Sequence, residues 1–430
     1  MLPDLNYKRI FLAILLVVIS LALIFGIVWL IFIRQGANIN QQATNTGQYE
    51  GGLPSAGQGG EGNISEGGGR LPQSAGGQVG EMGLGPEEEA QAVEVNEVAK
   101  GSFTKANGLS AGTEIKSMSR EADSFNFLSA EDDKFYRIYL NNGQKTVLSE
   151  EEFPFVEEVT WAPGGQKVVL QYPDGAVITY DFTTGKKTTL PTGAEDFSFS
   201  QSAESVAYKY VTDNEEDNWL VVSDAATTKS EAIEPIGDQG DKVIVDWSPN
   251  NQVVAIYRKP IGLEQEELFF IGLSGENFKS LKVGGSNFEG IWSPKGDKIL
   301  YSVLTAGSQY NPTLWVADAV GDSIGNNNFA LGLITWASKC VFAKDGLNVY
   351  CAVPVNLPQA AGLYPELVNE SPDVIYQINL ATGIKKMLAY PVLSQELEQF
   401  QIRQLFISDD SRKLYFWDNF TSEIYYIRLK

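Results

Sequence analysis

The chain has no histidine in 430 residues. That absence excludes Ser-His-Asp and Cys-His triads, histidine-ligated zinc and imidazole acid–base catalysis. Cysteine is nearly absent too: Cys340 and Cys351 are the only two. Basic residues are in deficit, 32 Lys and Arg against 54 Asp and Glu, for a formal charge of −22. A surface of that sign does not neutralise phosphates, which argues against nucleic acid as a partner. It favours solubility and repels anionic lipid headgroups. The acidic clusters Glu131-Asp132-Asp133 and Glu215-Glu216-Asp217 lack the alternating spacing, Gly and terminal Glu of a calcium loop. They fall in turn-like sequence, where adjacent carboxylates usually face solvent. Glycosidase chemistry on carboxylates needs no histidine, yet no motif supports it. The expectation is a protein that is not an enzyme and carries no cofactor or metal.

Long apolar stretches are also missing, with one exception. Residues 10–33 form an uncharged run rich in Leu, Ile and Val, with Trp29 near its end. Twenty-four residues of helix span about 36 Å, enough for a hydrocarbon core of roughly 30 Å. A cleaved signal peptide would be shorter, and RQGANINQQA offers a poor cleavage site. The reading is a single-pass helix in the cytoplasmic membrane. Lys8 and Arg9 put residues 1–9 in the cytoplasm and the bulk of the chain outside.

Composition then changes abruptly. Residues 34–100 are dominated by Gly, Ser, Gln, Asn and Glu, with almost no aromatics. Such a segment cannot bury enough surface to offset its ordering entropy, so a disordered linker is expected. About 65 residues of flexible coil have a root-mean-square span of about 45 Å. The acidic stretch at 87–98 has the makings of a brief helix.

From residue 101 the sequence repeats itself. IWSPKGDKILY at 291–301 has counterparts opening at Trp161, Phe199, Trp247, Phe342 and Ile407, with Trp292 as its own anchor. Each copy is an aromatic or large apolar residue, a short polar turn and an alternating apolar strand, which describes a β-hairpin. A second hairpin follows each, for example at 177–190, 268–281 and 374–388. Two hairpins repeating every 40–50 residues or so make the four-stranded blades of a propeller. The all-β count is seven blades, or six if the first unit is incomplete. The last hairpin is followed by one strand, so its outer strand must come from near residues 102–106, joining the two ends of the ring.

The repeats WSPKGDKILY, WSPNNQVVAI and WAPGGQKVVL resemble the WSPDG-type repeats of TolB-like propellers across residues 120–430. Similar repeats occur in the propeller domain of prolyl oligopeptidases, whose hydrolytic histidine has no counterpart here. The resemblance implies a fold and names no ligand.

In such a blade, strands A to D run outward from the axis, and all B–C connections emerge on one face. Several are long: 211–218, 258–266, 304–312 and 353–372. Long loops on a rigid face are where binding usually lies. The candidate partner-binding residues are Arg258, Lys259, Tyr310, Leu357, Leu363 and Tyr364, the last excursion being stiffened by Pro354, Pro358, Pro365 and Pro372. Arg258 and Lys259 also suit an anion. In the register that pairs Phe342 with Val349, Cys340 faces Cys351, so a disulfide is expected in an oxidising location. Tripeptides for glycosylation at 63–65, 369–371 and 419–421 are of a kind that arises by chance.

These features point to a membrane-anchored head outside the cell membrane that binds a protein of unknown identity as a scaffold of the envelope. The alternative is a ligand-sensing or carbohydrate-acting head with its site at the channel mouth. Topology is testable directly. A cysteine introduced in the linker should react with an impermeant maleimide on intact cells; protection until lysis would put the head in the cytoplasm.

Overall fold

The computed structural model describes residues 94–368, 371–393 and 398–430. The apolar run at 10–33 and residues 34–93 of the expected linker lie outside them, and among the described residues no helix is long and apolar enough to cross a membrane. Seven sheets follow one another along the chain, each built on antiparallel strands in the order A-B-C-D, with strands of the N-terminal segment added to the last two. They occupy residues 115–152, 158–189, 194–235, 243–283, 286–334, 340–392 and 402–428, and are called blades one to seven. The count is seven, because the segments Ile115–Arg120 and Ser124–Ser129 complete the first blade.

The repeated motif is the A–B hairpin. Trp161, Phe199, Trp292, Phe342 and Ile407 each end an inner strand, and Trp247 lies two residues past one. Trp292 pairs with Ile299 and Phe342 with Val349 across the hairpin. Four residues beyond every anchor stands a residue with positive φ: Gly165, Ala203, Asn251, Gly296, Gly346 and Ser411. That position closes a tight turn, as in the 3.0 Å bond from the Gly165 amide to the Ala162 carbonyl. Gly and Asn accept this conformation at little cost, whereas Ala203 and Ser411 hold it against steric strain.

The core is divided among the junctions between blades. Seven apolar clusters each span one neighbouring pair, the junction of blade seven with blade one included. At that junction Phe125 meets Phe406 and Tyr415 edge-on at 5.1 and 5.5 Å. Every sheet therefore covers its neighbour's apolar face.

Closure uses the N-terminal segment in an unexpected way. Ser102–Lys105 does not complete blade seven; it runs parallel to Ile384–Val392 as a fifth strand of blade six. The outer strand of blade seven is Asn107–Gly108, antiparallel to Ile424–Arg428. Ala106, buried in the cluster between these blades, lets the strap cross from one to the other. The strap also starts earlier than the change in composition suggests. The Ala99 amide donates to the Arg428 carbonyl at 2.8 Å, and Asn96 bridges Thr104. Residues 94–100, read as linker, thus pack with the head instead.

Cys340 and Cys351 face each other on the A and B strands of blade six, with Cα atoms 4.1 Å apart, and are joined as a disulfide. Both are buried.

The strap gives a test of closure. Removing the chain up to Gly108 should lower the midpoint of thermal unfolding markedly relative to a chain beginning at Glu94. Equal midpoints would mean that the apolar junctions close the ring unaided.

Candidate functional site

The B–C connections and the D–A crossings share one face, and there the loops join in series. Ribbon 258–266, expected as a loop, is strand: Ala255–Gly262 pairs with Gln265–Ile271, leaving Leu263 and Glu264 as the turn. The inner strand Val243–Val245 reaches only to Tyr257. Beyond it the hairpin projects with a free edge, where Pro260 costs no ladder bond and the register shift before Gly262 is tolerated. At its tip, Glu264 accepts the Ala306 amide of blade five at 3.0 Å. The next loop holds Gln309 and Tyr310 at φ 57° each. Their carbonyls accept the amides of Ala360 and Gly362 from the excursion 355–372 at 2.8 and 3.1 Å. Gly362 is required by this contact, since a Cβ would lie 2.3 Å from Leu304 and 2.5 Å from the Tyr310 carbonyl oxygen.

The candidate residues fall into two groups. Arg258 is a strand residue committed to the scaffold: its guanidinium donates to the Asp241 carbonyl at 3.2 Å and lies 4.0 Å from Glu266. Lys259 is on the same strand, 6.0 Å from the Phe269 ring. Neither belongs to a loop. Leu357 is half-buried. Tyr310, Leu363 and Tyr364 are exposed and brought together by the loop contacts above. Ile261, the fully exposed Leu263 and Leu367 are further exposed apolar side chains on this chain of bonded loops from blade four to blade six, and the set is called the apolar ridge below. Sequence reasoning missed these three, although the alternation Ile261-x-Leu263 carried the signal.

A cavity of about 340 Å³ lies beside the ridge among blades five to seven. Trp336, Pro365 and Val368 form its apolar part, and Glu289 and Arg403 its charged part. Lys339, at its wall, is held by both oxygens of the buried Asp373 at 2.8 Å.

Carboxylates on the inner strands, Asp196 and Glu289, and Asp373 on the third strand of blade six do structural work between blades. Asp196 accepts the Val245 amide at 3.1 Å, Glu289 the Ser338 amide at 2.7 Å, and Asp373 the Ile402 amide at 2.7 Å. Each bond ties one blade to the start of the next. Asp246 differs. Burial raises its pKa to about 7, the Trp292 indole opposes that rise, and Asp196 adds to it. Among the described residues no group of three or more Cys, Asp or Glu side chains is placed to hold a metal ion. Asn419 of the tripeptide at 419–421 donates its amide to Gln401 at 2.6 Å.

No protein-family model and no curated protein matches the chain. Solved structures do. An oligogalacturonate lyase in complex with manganese is 14% identical, with a TM-score of 0.52 over 76% of this chain and 93% of that one. The oligogalacturonate lyase of Vibrio parahaemolyticus, 12% identical, has a TM-score of 0.47 over the same shares, 76% and 93%. TolB from Acinetobacter baumannii is 16% identical, with a TM-score of 0.40 over 60% of each chain. The class is the β-propeller, here with seven blades, and TolB is among its structural neighbours. Identities this low speak to the fold alone.

Asp246 yields a pH prediction. Its carboxyl stays protonated in the folded protein over a range, from about 4 upward, in which an unfolded chain is ionised. It therefore adds stability at low pH that is lost as pH rises through about 7. Asp246→Asn should raise the unfolding midpoint at pH 8 and flatten its fall between pH 5 and 8. An unchanged profile in thermal melts would show Asp246 to be ionised and solvated.

Proposed function

We propose that this protein is a binding module: a propeller held outside the cytoplasmic membrane by an N-terminal helix and a flexible linker. In this reading it acts as a TolB-like scaffold of the cell envelope and not as an enzyme. The observation that carries the proposal is the apolar ridge of Tyr310, Leu363, Tyr364 and their neighbours, exposed on loops that are bonded to one another. Such loops lose little entropy on binding, and exposed aromatic and aliphatic anchors are the side chains that dominate protein interfaces. The charge-free run at 10–33 supports the anchor, and the linker would set reach and local concentration.

The channel supports the second reading, a ligand-sensing or carbohydrate-acting site, through Asp246 and Trp292. Against it, the neighbouring channel carboxylates Asp196 and Glu289 already accept backbone amides.

Purification of the full chain in mild detergent, followed by mass spectrometry, tests the binding role. A near-stoichiometric protein should accompany the parent chain and be lost with Leu363→Ser and Tyr364→Ser, substitutions that leave the bonded backbone of the loops in place. Absence of such a protein, or its retention by the variant, would overturn the proposal.

A further inference from the structure

Charge is shared unequally between the two faces of the disc. Connections between described strands on the long-loop face hold sixteen Asp and Glu residues against two basic ones, Lys242 and Lys339. On the opposite face the described connections hold ten against five. Of the two lysines, Lys339 is neutralised by Asp373. The loop of blade three presents Asp213, Glu215, Glu216 and Asp217 without a basic residue among them. The apolar ridge lies on this same face. Glu264 adjoins Leu263 at one end, and Glu366 adjoins Leu367 at the other.

We propose that the ridge docks a basic amphipathic segment of a partner protein. The segment's apolar side chains seat on Leu263, Tyr310, Tyr364 and Leu367, while lysines or arginines along its flanks meet Glu264, Glu366 and the acidic loop of blade three. Apolar contact supplies the affinity; the field of the face speeds approach and rejects acidic competitors. A second copy of this chain would bring the same sign of charge to the contact, and an anionic membrane is repelled in the same way. The proposal rests on the binding role argued above and adds the chemistry of the partner.

The probe is a synthetic Leu/Lys peptide with apolar residues at helical spacing and a photoreactive group. It is presented to the full chain in nanodiscs of zwitterionic lipid, with the signal of empty nanodiscs subtracted. Two further peptides serve as controls, one with Lys replaced by Glu and one with the same composition in scrambled order. The Leu/Lys peptide should bind and cross-link to the turns around residues 263, 310 and 364–367. Leu263→Ser with Leu367→Ser should weaken it about tenfold or more, as loss of interface anchors does. Glu264→Gln with Glu366→Gln should weaken it and reduce its salt dependence, whereas Asp409→Asn with Asp410→Asn, on the opposite face, should not. Thermal melts matching the parent would establish that the variants are folded.

Equal binding of the scrambled peptide would reduce the effect to bulk charge and overturn the inference. So would preference for the Glu peptide, cross-links elsewhere, no binding, or self-association of the chain through the ridge. The two proposals fail separately. A co-purified partner that needs the ridge but carries no basic amphipathic segment sinks this inference and leaves the binding role standing. Absence of any partner sinks the binding role itself.

Discussion

A ring of sheets is stable only if it has no first and last member, and closure is the constraint on which this head depends. Each blade covers the apolar face of the next, so an open ring would leave two faces of side chains such as Phe125 and Tyr415 exposed to water. Burying aromatic side chains of this size contributes about 1.5–3 kcal/mol apiece. The two chain ends are brought to the same place to prevent that opening, and the strap pairs with two sheets instead of one. Blade six gains a parallel fifth strand, blade seven gains its missing fourth, and Ala99 and Ala106 fill the space between them.

Closure also explains how the inner carboxylates are used. A propeller strand nearest the axis leaves backbone amides that its own sheet does not satisfy, and a buried amide without an acceptor costs about 1–3 kcal/mol. Asp196 and Glu289 answer this from inner strands and Asp373 from the third strand of blade six, at three separate junctions. The inner carboxylates Asp196 and Glu289 are thus used in joining blades. On the long-loop face, bonds between successive blades fix the loops that carry the ridge.

Much of this was legible in the sequence. The repeat gave the hairpins, the anchors and even the register of the two cysteines, because one turn position with positive φ recurs four residues after each anchor. Ribbon 258–266 was misread because Pro260 and Gly262 are ordinarily loop signals; they occur here in strand since the inner neighbour stops at Val243–Val245. The strap was half legible: that an N-terminal strand must close the ring follows from the lone last strand, but which sheet it joins depends on tertiary contacts of Ala106. Exposure was the least legible property. Leu357 and Leu363 look equivalent in sequence, yet Leu357 is half-buried and Leu363 exposed on the excursion that bonds to Gln309 and Tyr310.

The strap has a mechanical consequence. Any tension transmitted along the chain from upstream of Glu94 enters the head at Asn96–Gly108, the same pairs that keep the ring shut. Load and closure share one set of hydrogen bonds. A head gripped by its loops and pulled by its N-terminus would yield first at the seam between blades six and seven, so the force it withstands is set by the strap and not by the seven cores.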